Sequence, residues 1–419
     1  MRTSLAVGVF LLAVVARAAE LTDYVGNYAI EGRTLAIAEF EVDPEAPRVL
    51  AFTDFASGRF GVLTEVAPDT YALHERVMSG SEAARIRFIR AGRRVTALTF
   101  QPHGKRQRLA KRVPHRRIEL TIPSGAATLL IPAGRAPFPA VVIVPAGRVG
   151  RTAAATFPNF FLSQGFAVLA YDRRKESAPF DTYAADAVAA AEALRRRPDI
   201  DPRRIGLWGH SQGGWLSVIA ASKSASVAFV IDHSGMFVPA WQQELYRLGA
   251  EGAADGKPAA DVAAAVAYEA KMTDVARSGE GWNDLMSAWQ SGKGKWEDLV
   301  YKPASLEELQ RIWRDDFSFD PRPLVANVRQ PVLALFGGLD RSTPIESAAN
   351  LKRAMPANTC LTEMVFPTAD HAFLDAVTGG NREIPNLSRF VPGMFDAMRT
   401  WLRRYTARMA SFRISRCVK

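Results

Sequence analysis

Cysteine is scarce in this chain: there are two, Cys360 and Cys417. In an oxidising compartment they could pair or remain as two free thiols, and their spacing does not decide between these. Histidine is also sparse, at six residues, which shortens any search for a catalytic base. His74, His103 and His115 lack metal-ligand spacing and read as surface or turn residues. Between Arg85 and Arg117 acidic residues are missing altogether, while twelve Lys or Arg are present. Such a field could attract anionic envelope surfaces or acidic substrates, although it reads more simply as solvated strand faces. No nucleic-acid-binding motif occurs. The apolar run Leu5 to Ala16, twelve residues, is too short to span a bilayer.

What is present begins with that run. Arg2 precedes it and Ala16-Arg17-Ala18 follows it, the pattern of an export signal cleaved after Ala18. Residues 1–18 are therefore expected to be a signal peptide, and the mature chain periplasmic or secreted. Loss of Arg2 and Arg17 would still leave a strongly basic protein, since the full chain carries a net charge of +10. With 48% apolar and 23% charged residues, the 419-residue chain can bury a sizeable core and is long enough for more than one domain.

Residues 20–113 are expected to be all β. Short runs such as Thr34–Phe40, Arg48–Thr53, Gly58–Leu63, Thr70–Leu73, Arg85–Arg90 and Val95–Phe100 recur about every ten residues between turn residues. This predicts a small sheet or open barrel. Val113–Arg117 reads as a linker. Beyond it, apolar runs at Ile118–Ile122, Ala127–Ile131, Ala140–Val144, Phe166–Tyr171, Ile205–Trp208, Val227–Ile231, Pro331–Phe336 and Leu361–Phe366 alternate with helical stretches. That alternation predicts a mainly parallel sheet covered on both faces, in an α/β domain spanning 117–407. Between 236 and 329 the alternation gives way to helical composition with five of the eight tryptophans. A helical cap is expected there. Trp241, Trp282 and Trp289 would line an apolar pocket or pack the cap's own core.

Gly209-His-Ser-Gln-Gly213 sits between an apolar strand and a helix. The small residues two before and two after Ser211 fit a tight turn that lifts a serine hydroxyl clear of the sheet. A serine is a weak nucleophile without a base and a group to orient that base. After Ser211 only His233 and His371 remain. His371 follows the last predicted strand in a turn-rich segment and is the expected base. His233 follows a strand beside the elbow and could line the site; His210 is expected to be structural. Asp340, in the glycine-rich turn after the strand ending at Phe336, is the expected acid. Asp232 and Asp370 are its rivals, although Asp370 adjoins His371 and is poorly placed to hold its ring.

The order Ser211, Asp340, His371 and the elbow resemble those of α/β-hydrolases, and the likeness extends over about 117–407. Tyr171-Asp-Arg-Arg174 and Gly209–Gly214 are similar to a bacterial esterase group. The elbow is also similar to those of prolyl-oligopeptidase-like and bile-acid-CoA-thioesterase-like enzymes. The segment from Asp23 to Val113 resembles the small, lipocalin-like β-domains that accompany bacterial serine hydrolases. The resemblance implies a serine hydrolase acting on carboxylic esters through an acyl-enzyme, with no metal or organic cofactor. An exopeptidase, a thioesterase and a non-catalytic envelope-binding protein are the alternatives. It also implies an oxyanion hole formed by the backbone amides of Gln212 and of Gly147 or Ala146. Relatives carry His-Gly where this chain has Pro145-Ala146, and Gly-x-Gly-x-Ser after the Arg-Arg pair where it has Lys175-Glu176-Ser177.

Overall fold

The computed structural model describes residues 21–40, 47–147, 151 and 156–410, with only the backbone for 315 and 406–410. The expected leader 1–18, Arg148 and Cys417 lie outside these residues. Cys360 is disulfide-bonded.

Eight antiparallel strands open the chain: β1 (Gly26–Ile30), β2 (Arg33–Phe40), β3 (Val49–Asp54), β4 (Phe60–Ala67), β5 (Thr70–His74), β6 (Glu82–Ala91), β7 (Arg94–Pro102) and β8 (Arg108–Arg112). They form a closed barrel, an all-β unit as expected, although closed where the spacing suggested a small sheet or open barrel. Closure comes from β1 pairing with β8, Tyr28 opposite Arg112 and Ala29 opposite Lys111. The basic β8 buries only Ala110, so it carries little of the alternation that betrays a strand. β6 shows that alternation clearly, burying Ile86 and Phe88 and exposing Arg85 and Arg87. The barrel interior is filled by Tyr28, Leu35, Ile37, Phe52, Ile86 and Phe100, with Phe52 and Phe100 stacked 5.5 Å apart. Much of the basic strip is paired with carboxylates: Arg85 with Glu82, Arg90 with Asp69 and Asp23, Arg108 with Glu31, Arg116 with Asp199, Arg117 with Glu119.

The predicted linker is shorter than expected, because β9 (His115–Ile122) already includes three of its residues. β9 is the edge of a sheet, where its arginines face outward and discourage further pairing. With β10 (Gly125–Pro132), β11 (Phe138–Val144), β12 (Ala167–Tyr171), β13 (Ile200–His210), β14 (Phe229–His233), β15 (Val332–Gly337) and β16 (Leu361–Phe366) it forms one sheet. The order is β16-β15-β14-β13-β11-β12-β10-β9, antiparallel at β9–β10 and β10–β12 and parallel elsewhere. β12, β14 and β15 bury every residue, as a parallel sheet covered on both faces requires. Helices Phe180–Arg195 and Gln212–Lys223 pack on one face, helices Thr156–Ser163 and Met394–Ala410 on the other. The strand order reverses at β11, so the carboxyl ends of β11 and β13 border the crevice where such sheets bind ligands.

Between β14 and β15 lies the helical cap, with helices Ala240–Ala254, Ala259–Ser278, Trp282–Gly292, Leu306–Ile312 and Arg322–Val325 and a π-helical turn Trp313–Phe317. It has its own core of Ala265, Tyr268, Met272, Leu285, Trp289, Trp296 and Leu309. Ala240 and Val325 of the cap also join the sheet's core, with Phe317 and Phe319 packed against it. The barrel, besides filling its own interior, shares a core with the sheet's other face. Phe55, Phe60 and Val77 cluster with Phe157, Trp208, Phe390 and Phe395.

Candidate active site

Ser211 stands where β13 ends and the helix Gln212–Lys223 begins, with φ 55° and ψ −122°. A non-glycine residue in this region is strained and persists only where its surroundings dictate it. The dictating contacts are visible at the flanking glycines. A Cβ on Gly209 would lie 2.1 Å from the Gly213 backbone, one on Gly213 2.2 Å from the Val144 carbonyl, and one on Gly214 2.2 Å from Asp232 Oδ1. Strand, helix and the end of β11 therefore meet at van der Waals limits around the serine. The Ser211 amide donates to the His233 carbonyl at 2.7 Å, and among the described residues its hydroxyl makes no hydrogen bond.

His371 and Asp340 are brought together. The ring Nδ1 lies 2.9 Å from Asp340 Oδ2 and 3.0 Å from Oδ1, and a carboxylate can only accept, so Nδ1 carries the proton. Asp340 Oδ1 also accepts from the amides of Ser342 at 2.9 Å and Thr343 at 2.7 Å, an Asx-type turn that fixes the carboxylate plane. Burial opposes charge on Asp340, yet the His371 ring and these hydrogen bonds hold it below the usual carboxylate range. Burial likewise opposes charge on His371, but the Asp340 carboxylate raises it above the ordinary imidazole value. The pair leaves Nε2 of His371 for other work.

The rivals are elsewhere. Asp232 is fully buried behind the elbow, where burial pushes its carboxyl well above the ordinary value, and it does not contact His371. Asp370, pushed up to about 7 by burial, accepts from the Leu374 amide at 2.8 Å and makes no hydrogen bond to the ring, whose carboxylate partner is Asp340. His233 is 0% exposed, its ring against Phe373, Phe157 and Trp208. It therefore lines the core and not a surface open to substrate, because the strand that carries it is covered on both faces. His210 is structural in a specific way: its Nε2 lies 2.6 Å from the His371 carbonyl, tying the elbow to the His371 loop. Burial pushes His210 down to about 4, so the ring is neutral and Nε2 must carry the hydrogen.

Gly147, with φ 54°, lies beside the elbow: its amide donates to Gln212 Oε1 at 3.0 Å. The same oxygen accepts from the Arg173 guanidinium, which lies 3.5 Å over the Tyr183 ring. Arg174 makes a bidentate ion pair with buried Asp186, at 2.7 and 2.6 Å. The Tyr-Asp-Arg-Arg turn thus anchors itself with one arginine and holds the Gln212 side chain with the other. No hydrogen bond is made by the Ala146 amide among the described residues.

In the cap, Trp289 is buried in the cap's own core and Trp282 packs against its edge, while Trp241 is half-buried at the start of the first helix. The cap residues that reach the Asp340 turn are different ones. Tyr246 donates to the Asp340 carbonyl at 2.7 Å, Gln243 to the Ser342 carbonyl at 2.6 Å, and Glu251 accepts from Ser342 Oγ at 2.5 Å. Sequence reasoning missed these residues, since none belongs to a local motif; it quoted Arg173 within Tyr171-Asp-Arg-Arg174 but did not give it a partner. Among the described residues no group of three or more His, Cys, Asp or Glu could hold a metal ion.

The sequence profile of the alpha/beta hydrolase family matches residues 141–377, from β11 to just past His371. A curated relative, the "Putative carboxymethylenebutenolidase" of Escherichia coli O157:H7, is 41% identical over 54 residues, which is 13% of this chain and 20% of that protein. The chain thus spans about a fifth of that relative's length. Similar solved structures include a 2,6-dihydroxy-pseudo-oxynicotine hydrolase (18% identity, TM-score 0.44, covering 73% of this chain and 71% of that one). A Pyrococcus furiosus esterase aligns at 15% identity and TM-score 0.41, over 71% and 91% of the two chains. Porphyromonas gingivalis dipeptidyl peptidase 4 aligns at 13% and 0.42, over 92% and 50%. The family match covers more than half of the chain, including the elbow, the acid turn and the histidine loop: this protein belongs to the alpha/beta hydrolase family.

Proposed function

We propose that the protein is an exported serine hydrolase that cleaves carboxylic esters, with Ser211 as nucleophile, His371 as base and Asp340 as the acid that orients it. The observation that carries the reading is the His371–Asp340 pair, whose hydrogen bonds at 2.9 and 3.0 Å fix the tautomer a base needs, two strand ends from a serine held at φ 55°. In the first half-reaction the Ser211 oxygen attacks the ester carbonyl and its proton passes to His371 Nε2. Asp340 stabilises the imidazolium that forms. The tetrahedral oxyanion is received by the backbone amides of Gln212 and Gly147. The intermediate collapses, His371 returns the proton to the departing alkoxide, and an acyl-serine remains. Water, deprotonated by His371, then releases the acid and restores the serine.

The Gly147 amide is already engaged by the Gln212 side chain, so an incoming carbonyl must displace that side chain to use it. The leader pattern of residues 1–18 supports export. Turnover of p-nitrophenyl esters and aminoacyl-anilides by wild type and Ser211→Ala tests the proposal. Ester hydrolysis lost in the variant is expected. Anilide hydrolysis in excess of ester hydrolysis would assign a peptidase instead, and full ester turnover by Ser211→Ala would remove the mechanism.

A further inference from the structure

We infer that the N-terminal barrel positions the base: the β3–β4 turn, clamped by Arg59, holds the segment 388–391 that in turn holds the loop carrying His371. The inference rests on reading His371 as the base. Arg59 is a side chain that links barrel and segment 388–391 directly, beside the contacts that Arg76, Val77, Met78 and Ser79 make to 385–387. Its guanidinium donates to the carbonyls of His74 and Glu75 at the end of β5 and to the Ser388 carbonyl at 3.1 Å, so one side chain grips backbone from both units. The backbone repeats the link. The Phe60 amide donates to Ser388 at 3.0 Å, the Phe390 amide donates to Gly58 at 2.8 Å, and Arg59 bridges Arg389 antiparallel. Gly58 has φ 73°, and a Cβ there would meet the Phe390 carbonyl at 2.9 Å, so the approach leaves no room for a side chain.

A second rung continues from that segment to the loop. Arg389 pairs with the Asp375 carboxylate at 2.9 Å, the Asp375 amide donates to the Arg389 carbonyl at 2.9 Å, and the Val391 amide donates to Phe373 at 2.8 Å. Leu374 bridges Phe390. Barrel turn, segment 388–391 and segment 373–375 therefore form a short three-part ladder that ends two residues from His371. Phe373, at φ 63°, is pinned there with its ring 3.8 Å from the His233 centroid. Aromatic packing follows the same line, Phe60 against Phe390 at 5.1 Å and Phe390 against Phe395 at 5.2 Å. The barrel's interior is filled by its own side chains, so the face that acts is the outer one, through this ladder. A base displaced by even an ångström loses much of its effect.

The test compares Arg59→Ala, Arg59→Lys and Ser211→Ala in the full chain, with p-nitrophenyl butyrate as substrate. Arg59→Ala is expected to lower kcat about ten-fold with KM changed less than about three-fold. It should also move the acid limb of kcat/KM to lower pH. The titratable groups around the imidazole are Asp340, Asp370, Glu251, His210 and His233, and a ring less firmly held on Asp340 loses the partner that raises it. Arg59→Lys, which keeps a donor to Ser388, should recover part of both effects. A folded Arg59→Ala protein with wild-type kcat and acid limb, while Ser211→Ala is inactive, overturns the barrel's role and leaves the triad standing. Activity retained by Ser211→Ala overturns the triad itself. If Arg59→Ala does not fold, Arg389→Met decides. That change cuts only the ion pair to Asp375: the same shift supports the inference, and wild-type behaviour overturns it.

Discussion

The barrel and the cap flank the same sheet but are joined to it differently. Phe55, Phe60 and Val77 of the barrel enter the hydrophobic core that holds Phe157, Trp208 and Phe373 of the His371 loop, whereas the cap keeps Tyr268, Trp289 and Trp296 in a core of its own and meets the sheet on its other face, through Ala240, Val325 and Phe319. The barrel reaches the His371 loop by a backbone ladder and by tilted and edge-on aromatic contacts. The cap reaches the Asp340 turn by polar side chains of one helix, Gln243, Tyr246 and Glu251. Apolar cores resist relative movement because any shift opens voids, while a few hydrogen bonds can break and reform at modest cost. The difference teaches that packing leaves the His371 loop less room to shift than hydrogen bonds leave the Asp340 turn.

The sharpest way to test the acid side is Asp340→Asn, which keeps shape but spoils the tautomer and the charge. Ester kcat should fall by about 10⁴, measured at saturating substrate. In wild type, kcat/KM should decline as the pH drops through the His371 ionisation, because a protonated ring cannot accept the serine proton. That limb should lie above the ordinary imidazole value, since Asp340 raises His371. In Asp340→Asn what activity remains should show its limb at lower pH. An unchanged limb would break the assignment of Asp340 as the partner.

Stability separates the two additions next. Phe60→Ala, at a site 5% exposed, should cost about 3–5 kcal/mol and lower a single calorimetric transition for barrel and sheet together. Trp289→Ala should cost a similar amount, but hydrogen exchange should localise the loss of protection to 259–312 and leave the barrel protected. Loss of protection spread evenly over both regions in either variant would erase the contrast. Gln212→Ala should raise the rate of acylation by a small ester about ten-fold in burst kinetics, because it frees the Gly147 amide while keeping the backbone donor at 212. Slower acylation would show that the glutamine side chain assists. Tyr246→Phe, which removes one hydrogen bond to the Asp340 carbonyl, should cost about 1 kcal/mol and lower kcat a few-fold in steady-state assays.

Much of this architecture could be read from local pattern. The fully buried parallel strands announce themselves as apolar runs, and the elbow announces itself by glycines that the close approach of Val144 and Gly213 requires. Asp340 and His371 were legible because each follows a strand end in a turn with few competitors. The closure of the barrel was not, since it depends on β1 meeting β8 across more than seventy residues and on a strand, Arg108–Arg112, whose charges hide its period. The cap tryptophans illustrate a second limit. Composition marks the region as apolar, but only the packing of Ala259–Ser278 against Trp282–Gly292 turns Trp289 into that core. Tyr246 and Arg59 act through contacts between segments far apart in the chain, and no spacing rule points to them; His210 and Arg173 lie in quoted motifs, but their partners, the His371 carbonyl and the Gln212 side chain, are not readable there.

The account centres on a serine activated by His371 and Asp340. Reacting the intact protein with a fluorophosphonate and locating the adduct by mass spectrometry tests that most directly. A single adduct on Ser211, absent when His371 is replaced by Ala, is the expected result. An unmodified protein, or an adduct on another residue that survives loss of His371, would contradict it.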